Sequence, residues 1–329
     1  MKAIVQDRFG SPDVLDLREI DKPAIKDDEV LLRVRAASVN PADWAFMRGM
    51  PYIARTAFGL RKPKIRVRGI DVAGTVEAVG SKVTRLRPGD EVFGQGKGTF
   101  AEYAAAREKD LAAKPANLTF EQAAAVPMAA LVALQAIRDK AKIQPGQKVL
   151  VNGAGGGIGT FTVQVAKAFG ADVTGVCSTA KVDLVRSLGA DHVIDYTKQD
   201  FTQTGERYDF ILDNAASQSL SRLRRVLTPK GTLIVNCGQF NRHWIGPIGR
   251  MMRASLLSVF ASQKLGSFLS LPNEADLTTL REIIEAGKVV PVIDCTYPLS
   301  EAPAAMAYVG EGHSSGKVVI SVSGSGSRD

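Results

Sequence analysis

One stretch of the chain, residues 148–170, constrains the fold more than any other. An apolar run at 149–151 has the length of a buried strand, and a glycine-rich segment, 153–159, follows it closely. Apolar residues then recur at helical spacing as far as Gly170, where a helix would end. Strand, glycine turn and helix in this order are typical of a dinucleotide-binding βαβ unit, although the spacing departs from the full G-x-G-x-x-G motif. The residues whose backbone we expect to bind the pyrophosphate are Gly155, Gly156, Gly157 and Ile158.

Composition sets the broad class of the protein. Its 329 residues suffice for about two domains, and 45% hydrophobic with 23% charged residues is a globular composition. No apolar run approaches the roughly 18 residues that span a bilayer, and Asp7 and Arg8 interrupt any N-terminal signal pattern. The three cysteines, Cys177, Cys237 and Cys295, match no metal or disulfide spacing, so we expect a cytoplasmic protein.

The net charge of +8 raises the question of an anionic partner. The densest basic run, 55–68, has no aromatic residue interleaved with the cations at 61–68, so specific nucleic-acid binding is not expected. A second run, 242–253, mixes cations with Trp244 and other apolar residues. It is either an amphipathic surface for, at most, peripheral membrane contact, or a flap over the cofactor or substrate.

The order of strand and helix patterns predicts the architecture. Up to residue 120, short strand-like runs, including one at 99–104, alternate with Gly and Pro, which indicates an all-β barrel. Thr119 is the expected N-cap of a helix, with Gln122 completing a capping box. Strands then alternate with helices, which indicates an α/β domain with a parallel, doubly wound, six-stranded sheet. The strands expected after the glycine turn are 172–177, 192–195, 208–213, 232–236 and, as the outer strand, 256–260.

The end of the second strand, 172–177, bears on the choice of cofactor. An acid there would hydrogen-bond an adenosine ribose and repel a 2′-phosphate, but the chain has Ser178, Thr179 and Lys181 instead. The hydroxyls can donate hydrogen bonds, and the lysine supplies a charge for a phosphate. We therefore expect NADPH rather than NADH; the alternative is that Lys181 is only an exposed residue early in a helix.

Several motifs occur in an order that resembles a known superfamily. They are the segments 37–43, 69–80 and 87–92, the glycine turn, and the segments 188–196 and 315–317. Over about residues 1–322 the chain resembles the zinc-free, quinone-oxidoreductase-like branch of the medium-chain dehydrogenase/reductase superfamily. The resemblance implies an α/β protein with a GroES-like β-barrel catalytic domain, 1–123 and 267–322, and an inserted Rossmann NADP-binding domain, 124–266. The last residues, 323–329, have the composition of a flexible tail.

The resemblance also implies that the protein holds no zinc. Zinc-dependent members have a cysteine at the position of Asn40 and a histidine at that of Ile70, and neither residue here replaces the lost ligand. The Cys-rich structural-zinc lobe is missing as well, since no cysteine precedes Cys177. Without a Lewis acid, reduction of an already electrophilic acceptor is favoured over alcohol oxidation.

Further cofactor contacts follow from the resemblance alone. Similar proteins hold the 2′-phosphate end with a lysine at the position of Lys181 and an aromatic residue at that of Tyr196. Lys317 either lies near the cofactor or only closes the barrel. The remaining expected contacts are Asn214, Ala215, Cys237, Gly238, Gly266, Ser267 and Phe268.

The chemistry requires a hydrogen-bond donor that faces the oxyanion or enolate developing on the acceptor. The resemblance places Asn40 at the floor of the cleft, where its amide would donate; alternatively, it ties down the turn before Pro41. Tyr52 is the nearby phenol that would donate a proton, with solvent as the alternative. Asp43 is expected to be structural, because nothing local indicates a raised pKa. The apolar residues expected to line the acceptor pocket are Trp44, Phe46 and Met47.

The leading hypothesis is NADPH-dependent, zinc-independent reduction of a small-molecule quinone or α,β-unsaturated carbonyl compound. One alternative is an enoyl-thioester reductase, in which the basic run 55–68 would face the anionic carrier. Another is a protein that binds NADPH without catalysis. The resemblance further implies a homodimer formed through the outer strand of the Rossmann sheet.

Overall fold

The computed structural model describes residues 1–236, 248–259 and 261–322. The chain divides into two compact units. The first unit comprises Met1–Leu131, Leu271–Glu285 and Pro291–Asp329, and the second comprises Val132–Ser270 and Ala286–Val290. The domain limits expected from the sequence, 1–123 with 267–322 and 124–266, stay a prediction.

The described residues form both β-strands and helices, with the following limits. The strands are β1 (Lys2–Gln6), β2 (Leu15–Glu19), β3 (Glu29–Val39), β4 (Asp71–Val79), β5 (Glu91–Gln95), β6 (Tyr103–Arg107), β7 (Leu111–Ala113), β8 (Lys148–Asn152), β9 (Asp172–Cys177), β10 (His192–Asp195), β11 (Tyr208–Asp213), β12 (Leu227–Val235), β13 (Lys264–Gly266), β14 (Ile293–Pro298) and β15 (Lys317–Ser321). The α-helices are α1 (Pro41–Arg48), α2 (Arg55–Phe58), α3 (Phe120–Ala124), α4 (Pro127–Gln135), α5 (Gly157–Ala168), α6 (Val182–Ser187), α7 (Leu220–Arg225), α8 (Ile248–Val259), α9 (Glu274–Glu285) and α10 (Ala302–Glu311). Short 3₁₀-helices lie at Pro12–Val14, Tyr52–Ala54, Glu108–Asp110, Thr179–Lys181, Phe201–Gln203 and Leu299–Glu301, and a π-helical segment at Ala136–Ala141.

The long strand β3 organises the first unit. Its residues 29–33 pair with β6 and its residues 36–39 pair with β15, while β4 pairs along its other edge. The full strand order is β14-β15-β3-β4-β5-β7, with every pair that involves β3 antiparallel. The C-terminal strand therefore completes a sheet that the N-terminal part begins, as the resemblance implies. Alternate side chains of β3, at Val30, Leu32 and Val34, enter the hydrophobic core of this unit.

The second unit is built on one parallel sheet. Its strand order is β10-β9-β8-β11-β12-β13, and every pairing in it is parallel. The chain proceeds outward from β8 to β10, returns to the middle, and proceeds outward again from β11 to β13. This confirms the predicted six-stranded, doubly wound sheet. The direction reverses between β8 and β11, and the carboxyl edge of a sheet at such a point is where dinucleotides bind.

Two strand predictions differ from the structure. The outer strand is not 256–260: residues up to 259 belong to α8, and the sixth strand is the three-residue β13. A short apolar run does not distinguish a helix from a strand, and α8 buries Ala254 while it exposes Met252 and Leu256. The strand expected at 99–104 is shifted: it begins at Tyr103, as β6, and the residues before it contribute an isolated bridge between Ala3 and Ala101.

Candidate functional site

The glycine turn of the second unit joins β8 to α5 in very close packing. Gly156 is the extended N-cap of α5, which begins at Gly157 and therefore directs its free N–H groups toward the turn. A Cβ on Gly159 would lie 2.1 Å from the carbonyl oxygen of Gly153, so the helix approaches the turn more closely than any other residue would allow. The four residues predicted from the sequence, Gly155, Gly156, Gly157 and Ile158, form this helix start. The arrangement fits a diphosphate, which needs bare N–H groups and the positive end of a helix.

Lys181 extends across this turn. A Cβ on Gly155 would come within 2.6 Å of Lys181 Cδ and 2.9 Å of Lys181 Cβ. Lys181 ends a 3₁₀-helix whose N-cap is Ser178, directly after β9. The structure therefore brings Lys181 against the glycine turn, from which it is separate in the sequence.

The tips of β9 and β10 carry the other predicted 2′-phosphate residues. The Tyr196 N–H donates to the carbonyl of Cys177 at 3.0 Å, and the Tyr196 side chain is exposed. The Thr179 hydroxyl, in contrast, donates to Asp195 at 2.6 Å. Together with hydrogen bonds from Thr197, this lowers the pKa of Asp195 to about 2. The sequence did not indicate Asp195 as a residue of this site, because it ends the neighbouring strand β10. Its carboxylate oxygens already accept hydrogen bonds from Thr179 and Thr197.

A buried carboxylate lies where β8 and β11 end side by side. Asp213 is 0% exposed and accepts hydrogen bonds from the Asn152 amide at 2.7 Å and the Ala216 N–H at 3.0 Å. Arg250 of α8 reaches it with Nη2 at 2.5 Å. No sequence motif indicates this cluster; its one local signal is an acid at the end of a strongly apolar strand. The cluster holds α8 to the central strands of the sheet.

Asn214 and Ala215 follow β11 and lie beside the glycine turn. A Cβ on Gly153 would lie 3.4 Å from Asn214 Cβ and 3.6 Å from Ala215 Cβ. The Asn214 Oδ1 accepts a hydrogen bond from Asn236 at 3.1 Å, whereas its buried Nδ2 has no partner among the described residues. A buried donor without an acceptor is costly, so this amide fits an oxygen of a bound cofactor.

The remaining predicted cofactor residues follow β12 and β13. Gly266 ends β13 opposite Ile234 of β12, at the same edge of the sheet as the glycine turn. Ser267 follows it, and the ring of Phe268 lies 5.3 Å from Lys140 Nζ. Cys237 and Gly238 lie outside the described residues.

The first unit contains a buried cluster of charged side chains around Asn40. Lys317 Nζ donates to Asn40 Oδ1 at 2.5 Å and lies 3.6 Å from Asp71 Oδ2. Asn40 Nδ2 donates to Asp71 Oδ2 at 2.9 Å and, at a long 3.4 Å, to the carbonyl of Ser38. The Asn40 N–H donates to Asp43 at 2.9 Å, where α1 begins. Asn40 is thus both the N-cap of α1 and the centre of a polar network.

Burial shifts the pKa of every charged group in this cluster. It raises the pKa of Asp43 to about 7, a shift that nothing local in the sequence indicates. It also raises the pKa of Asp71 and lowers those of Lys317 and Arg68. The cause is desolvation, which disfavours a charge of either sign away from water. No local pattern could have revealed it, because the burial comes from strands that are distant in the sequence.

The predicted acceptor-pocket residues occupy different environments within the first unit. Met47 is fully buried in the hydrophobic core, and Trp44 packs against that core. The Trp44 indole lies against Gly310 of α10, and Arg48 lies over its ring at 4.5 Å. Phe46 and Tyr52 are half-buried, and Arg55 lies 4.6 Å from the Tyr52 ring. A pocket role for Trp44, Phe46 and Met47 stays a prediction.

The donor set around Asn40 does not fit a zinc ion. Zinc sites use thiolate, imidazole and carboxylate ligands, whereas here an amide and a carboxylate already face an ammonium group. Among the described residues there is no group of three or more His, Cys, Asp or Glu side chains that could hold a metal. The glycine turn, in contrast, fits a dinucleotide.

None of the helices in the described part of the chain is long and apolar enough to cross a membrane. The amphipathic run predicted at 242–253 is described only from Ile248 onward, where it forms the start of α8. The cytoplasmic location stays a prediction.

Comparisons with known proteins agree with this fold. Residues 26–116 match the family model of the alcohol dehydrogenase GroES-like domain, and residues 188–320 match that of the zinc-binding dehydrogenases. The chain is 36% identical over 335 residues to the 2-methylene-furan-3-one reductase of Solanum lycopersicum, covering 97% of this chain and 79% of that protein. It is equally 36% identical to the chloroplastic NADPH-dependent alkenal/one oxidoreductase of Arabidopsis thaliana, with the same 97% and 79% covered.

A solved structure extends the likeness to the whole chain. The quinone oxidoreductase from Coxiella burnetii matches with a TM-score of 0.87 at 28% identity, covering 98% of this chain and 99% of that one. Together with the match over 26–116, this confirms the GroES-like part of the predicted fold as well as the Rossmann part.

Proposed function

The chain belongs to the medium-chain dehydrogenase/reductase superfamily, in its quinone-oxidoreductase-like branch, and on that premise we propose that it is an NADPH-dependent reductase of quinones or α,β-unsaturated carbonyl compounds. The names of the relatives support this acceptor class. The observation that carries the cofactor assignment is the position of the Lys181 side chain across Gly155, because it brings a lysine to the turn that we propose as the diphosphate cradle.

The second unit binds the cofactor with its own backbone and a few side chains. The N–H groups at the start of α5 receive the diphosphate, and the unpaired Nδ2 of Asn214 donates to a neighbouring cofactor oxygen. Ser178 and Lys181 hold the 2′-phosphate, with the exposed Tyr196 ring beside it. Thr179 keeps its hydroxyl on Asp195 and so holds the tips of β9 and β10 together. Bound NADPH supplies a hydride to the acceptor.

The first unit supplies the polar groups for the acceptor. Asn40 donates its second amide N–H only across the long 3.4 Å contact to the Ser38 carbonyl. This weak hydrogen bond is therefore the one that Asn40 can redirect to an acceptor oxygen at least cost. Negative charge that develops on that oxygen is stabilised by such a fixed donor. Tyr52 is the candidate proton donor. The donor set around Asn40 supports a reaction without zinc, whatever the name of the family model that matches residues 188–320.

A panel of acceptors tests this function. NADPH oxidation is followed at 340 nm with quinones, enones, enoyl-CoA thioesters and saturated aldehydes, with NADH as the comparison cofactor and with and without 1,10-phenanthroline. We expect quinones or enones to be reduced, NADPH to be preferred, and the chelator to have no effect. If NADPH binds tightly but no acceptor oxidises it, the proposal is wrong and the protein is a non-catalytic NADPH-binding protein.

One observation favours an enoyl-thioester reductase as the second candidate. Within the basic run 55–68, Arg68 is buried and Arg66 pairs with Asp7. The cations that stay exposed, without an ion pair among the described residues, are Arg61, Lys62 and Lys64. They would attract the phosphates of an acyl carrier. A clear preference for enoyl-CoA over free enones, lost at high salt, would support this candidate.

The homodimer expected from the resemblance is proposed along β13. This strand pairs only with β12 among the described residues, which leaves its other edge open. An open strand edge is a template for pairing with a second copy. Light scattering coupled to size exclusion tests it: a mass of one chain at micromolar concentration would contradict the dimer.

A further inference from the structure

Four charged side chains lie buried together in the first unit. Asp43, Arg68, Asp71 and Lys317 are each at most 7% exposed, and they carry two formal charges of each sign. Burial of a charge is strongly unfavourable unless an opposite charge and hydrogen bonds compensate for the lost water. A cluster of this kind therefore needs a specific set of partners.

The Lys317 ammonium faces two side-chain oxygen atoms. Asn40 Oδ1 is 2.5 Å away and Asp71 Oδ2 is 3.6 Å away. A carboxylate and an amide carbonyl are ligands of the kind that hard divalent cations prefer. The lysine thus occupies the position that a cation would take between these two oxygen donors.

Asp71 is itself held in one orientation by several donors. Its Oδ2 accepts hydrogen bonds from Ser38 Oγ and Asn40 Nδ2, both at 2.9 Å, and its Oδ1 accepts the backbone N–H of Met128 at 3.1 Å. Lysine can only donate and a carboxylate can only accept, so Lys317 and Asp71 together determine which way the Asn40 amide points. The amide cannot flip without breaking both contacts.

We propose that Lys317 is the built-in cation of this cluster: its ammonium takes the place of a divalent metal ion between Asn40 Oδ1 and Asp71, keeps such ions out, and orients the Asn40 amide. This deepens the proposed function, because it gives the zinc-independent reaction a physical basis. Lys317 thereby acts as a positioning residue for Asn40. Its link to the reaction rests on the proposed role of that amide.

Removal of the lysine is expected to create a metal site. Lys317→Ala leaves the Asp71 carboxylate and Asn40 Oδ1 without their ammonium and opens the volume of the side chain for an ion and its waters. Mn²⁺ is the probe, and its binding to the full-length protein is measured by the loss of the free-ion EPR signal. We expect Lys317→Ala to bind one Mn²⁺ per chain at least about tenfold more tightly than the wild type, which corresponds to about 1.4 kcal/mol. Lys82→Ala, which removes an exposed lysine of the same unit, is the matched control and should behave as the wild type.

Three further variants keep the test decisive. Lys317→Arg retains a charge and should exclude Mn²⁺, whereas Lys317→Ala/Asp71→Asn should lose the acquired site. If Lys317→Ala does not fold, Lys317→Met, which preserves the aliphatic stem, should show a melting temperature that rises with Mn²⁺. A folded Lys317→Ala or Lys317→Met protein with no Mn²⁺ response, or a wild type that binds Mn²⁺ equally well, would overturn the inference.

Turnover provides a second, independent readout. With the best acceptor found for the wild type, Lys317→Met should lower kcat by about tenfold or more while KM for NADPH stays unchanged, and Lys317→Arg should recover part of the loss. Unchanged kcat would show that the amide needs no positioning by Lys317. A wild type without any turnover would refute the proposed function and leave the Mn²⁺ result standing, so the two failures are distinguishable.

Discussion

The aliphatic side chain of Lys181 lies directly over Gly155, where even a methyl group would come within 2.6 Å of Lys181 Cδ. The two residues belong to different loops, one after β8 and one after β9, which are neighbouring strands of the parallel sheet. Because Gly155 has no side chain, the lysine can cross the turn at the start of α5. This position is the basis for the proposal that Lys181 contributes its charge to cofactor binding.

Lys181→Ala should separate the two nicotinamide cofactors. We expect KM for NADPH to rise by about tenfold or more with little change for NADH, because only NADPH carries the 2′-phosphate that an ammonium group would bind. Lys230→Ala, at an exposed position of β12 in the same unit, is the control. Equal losses for both cofactors would mean that Lys181 only shapes the turn.

Two glycine substitutions in the same turn should affect different properties, one mainly the stability of the fold and the other mainly NADPH binding. In Gly159→Ala the new Cβ would lie 2.1 Å from the Gly153 carbonyl and 2.7 Å from Ala154, both rigid backbone, so we expect a loss of roughly 3 kcal/mol or more in the free energy of unfolding. In Gly155→Ala the nearest atoms all belong to the side chain of Lys181, whose Cδ can move although its Cβ at 2.9 Å can do so less easily, so we expect a smaller loss of stability than in Gly159→Ala, together with weaker NADPH binding. Urea unfolding and fluorescence titration with NADPH measure the two effects. A Gly159→Ala protein as stable as the wild type would contradict the close packing described for this turn.

The carboxyl group of Asp43 should make stability depend on pH. Its pKa is about 7 in the folded protein and about 3.9 in an unfolded chain, so between these values the folded state holds a proton that the unfolded state has lost. Stability then falls as pH rises from 4 to 7. Asp43→Asn keeps an oxygen for the N–H of Asn40 and should remove a decline of roughly 4 kcal/mol, at about 1.36 kcal/mol per pKa unit.

Urea unfolding of wild type and Asp43→Asn between pH 4 and pH 8 measures this difference. Asp27→Asn, which alters an exposed carboxylate paired with Lys82, is the control and should follow the wild-type curve. Parallel curves for wild type and Asp43→Asn would show that Asp43 does not retain its proton.

Arg250→Met should destabilise the second unit. It leaves Oδ2 of the fully buried Asp213 without the guanidinium that now lies 2.5 Å away. Loss of one partner of a buried ion pair costs roughly 3 kcal/mol or more. Arg253→Met changes an exposed arginine of the same helix and should cost less than about 0.5 kcal/mol. Similar unfolding free energies for the two variants would contradict a structural role of the Arg250–Asp213 pair.

Local patterns predicted much of the second unit. Asp172–Cys177, His192–Asp195 and Tyr208–Asp213 are strands with the predicted limits, because each is a short apolar run bounded by turn residues. The capping box at Thr119 also formed, with the Gln122 N–H donating to the Thr119 hydroxyl at 3.2 Å. The prediction of the outer strand was wrong, because the run 256–259 is apolar enough for a strand or a helix. The true edge strand, β13, has only three residues. Its pairing with β12 is a tertiary contact that leaves no periodic signal.

The sequence by itself determined the order of strands and helices, the glycine turn and the helix that begins there, since these depend on periodicity and on backbone conformations that neighbouring residues specify. Only the tertiary structure decided the charged cluster of the first unit, in which Lys317 meets Asn40 across 277 positions of the chain. The physical reason is that desolvation and pairing of charges depend on which segments pack around them. No residue near Asp43, Asp71 or Lys317 in the sequence carries that information.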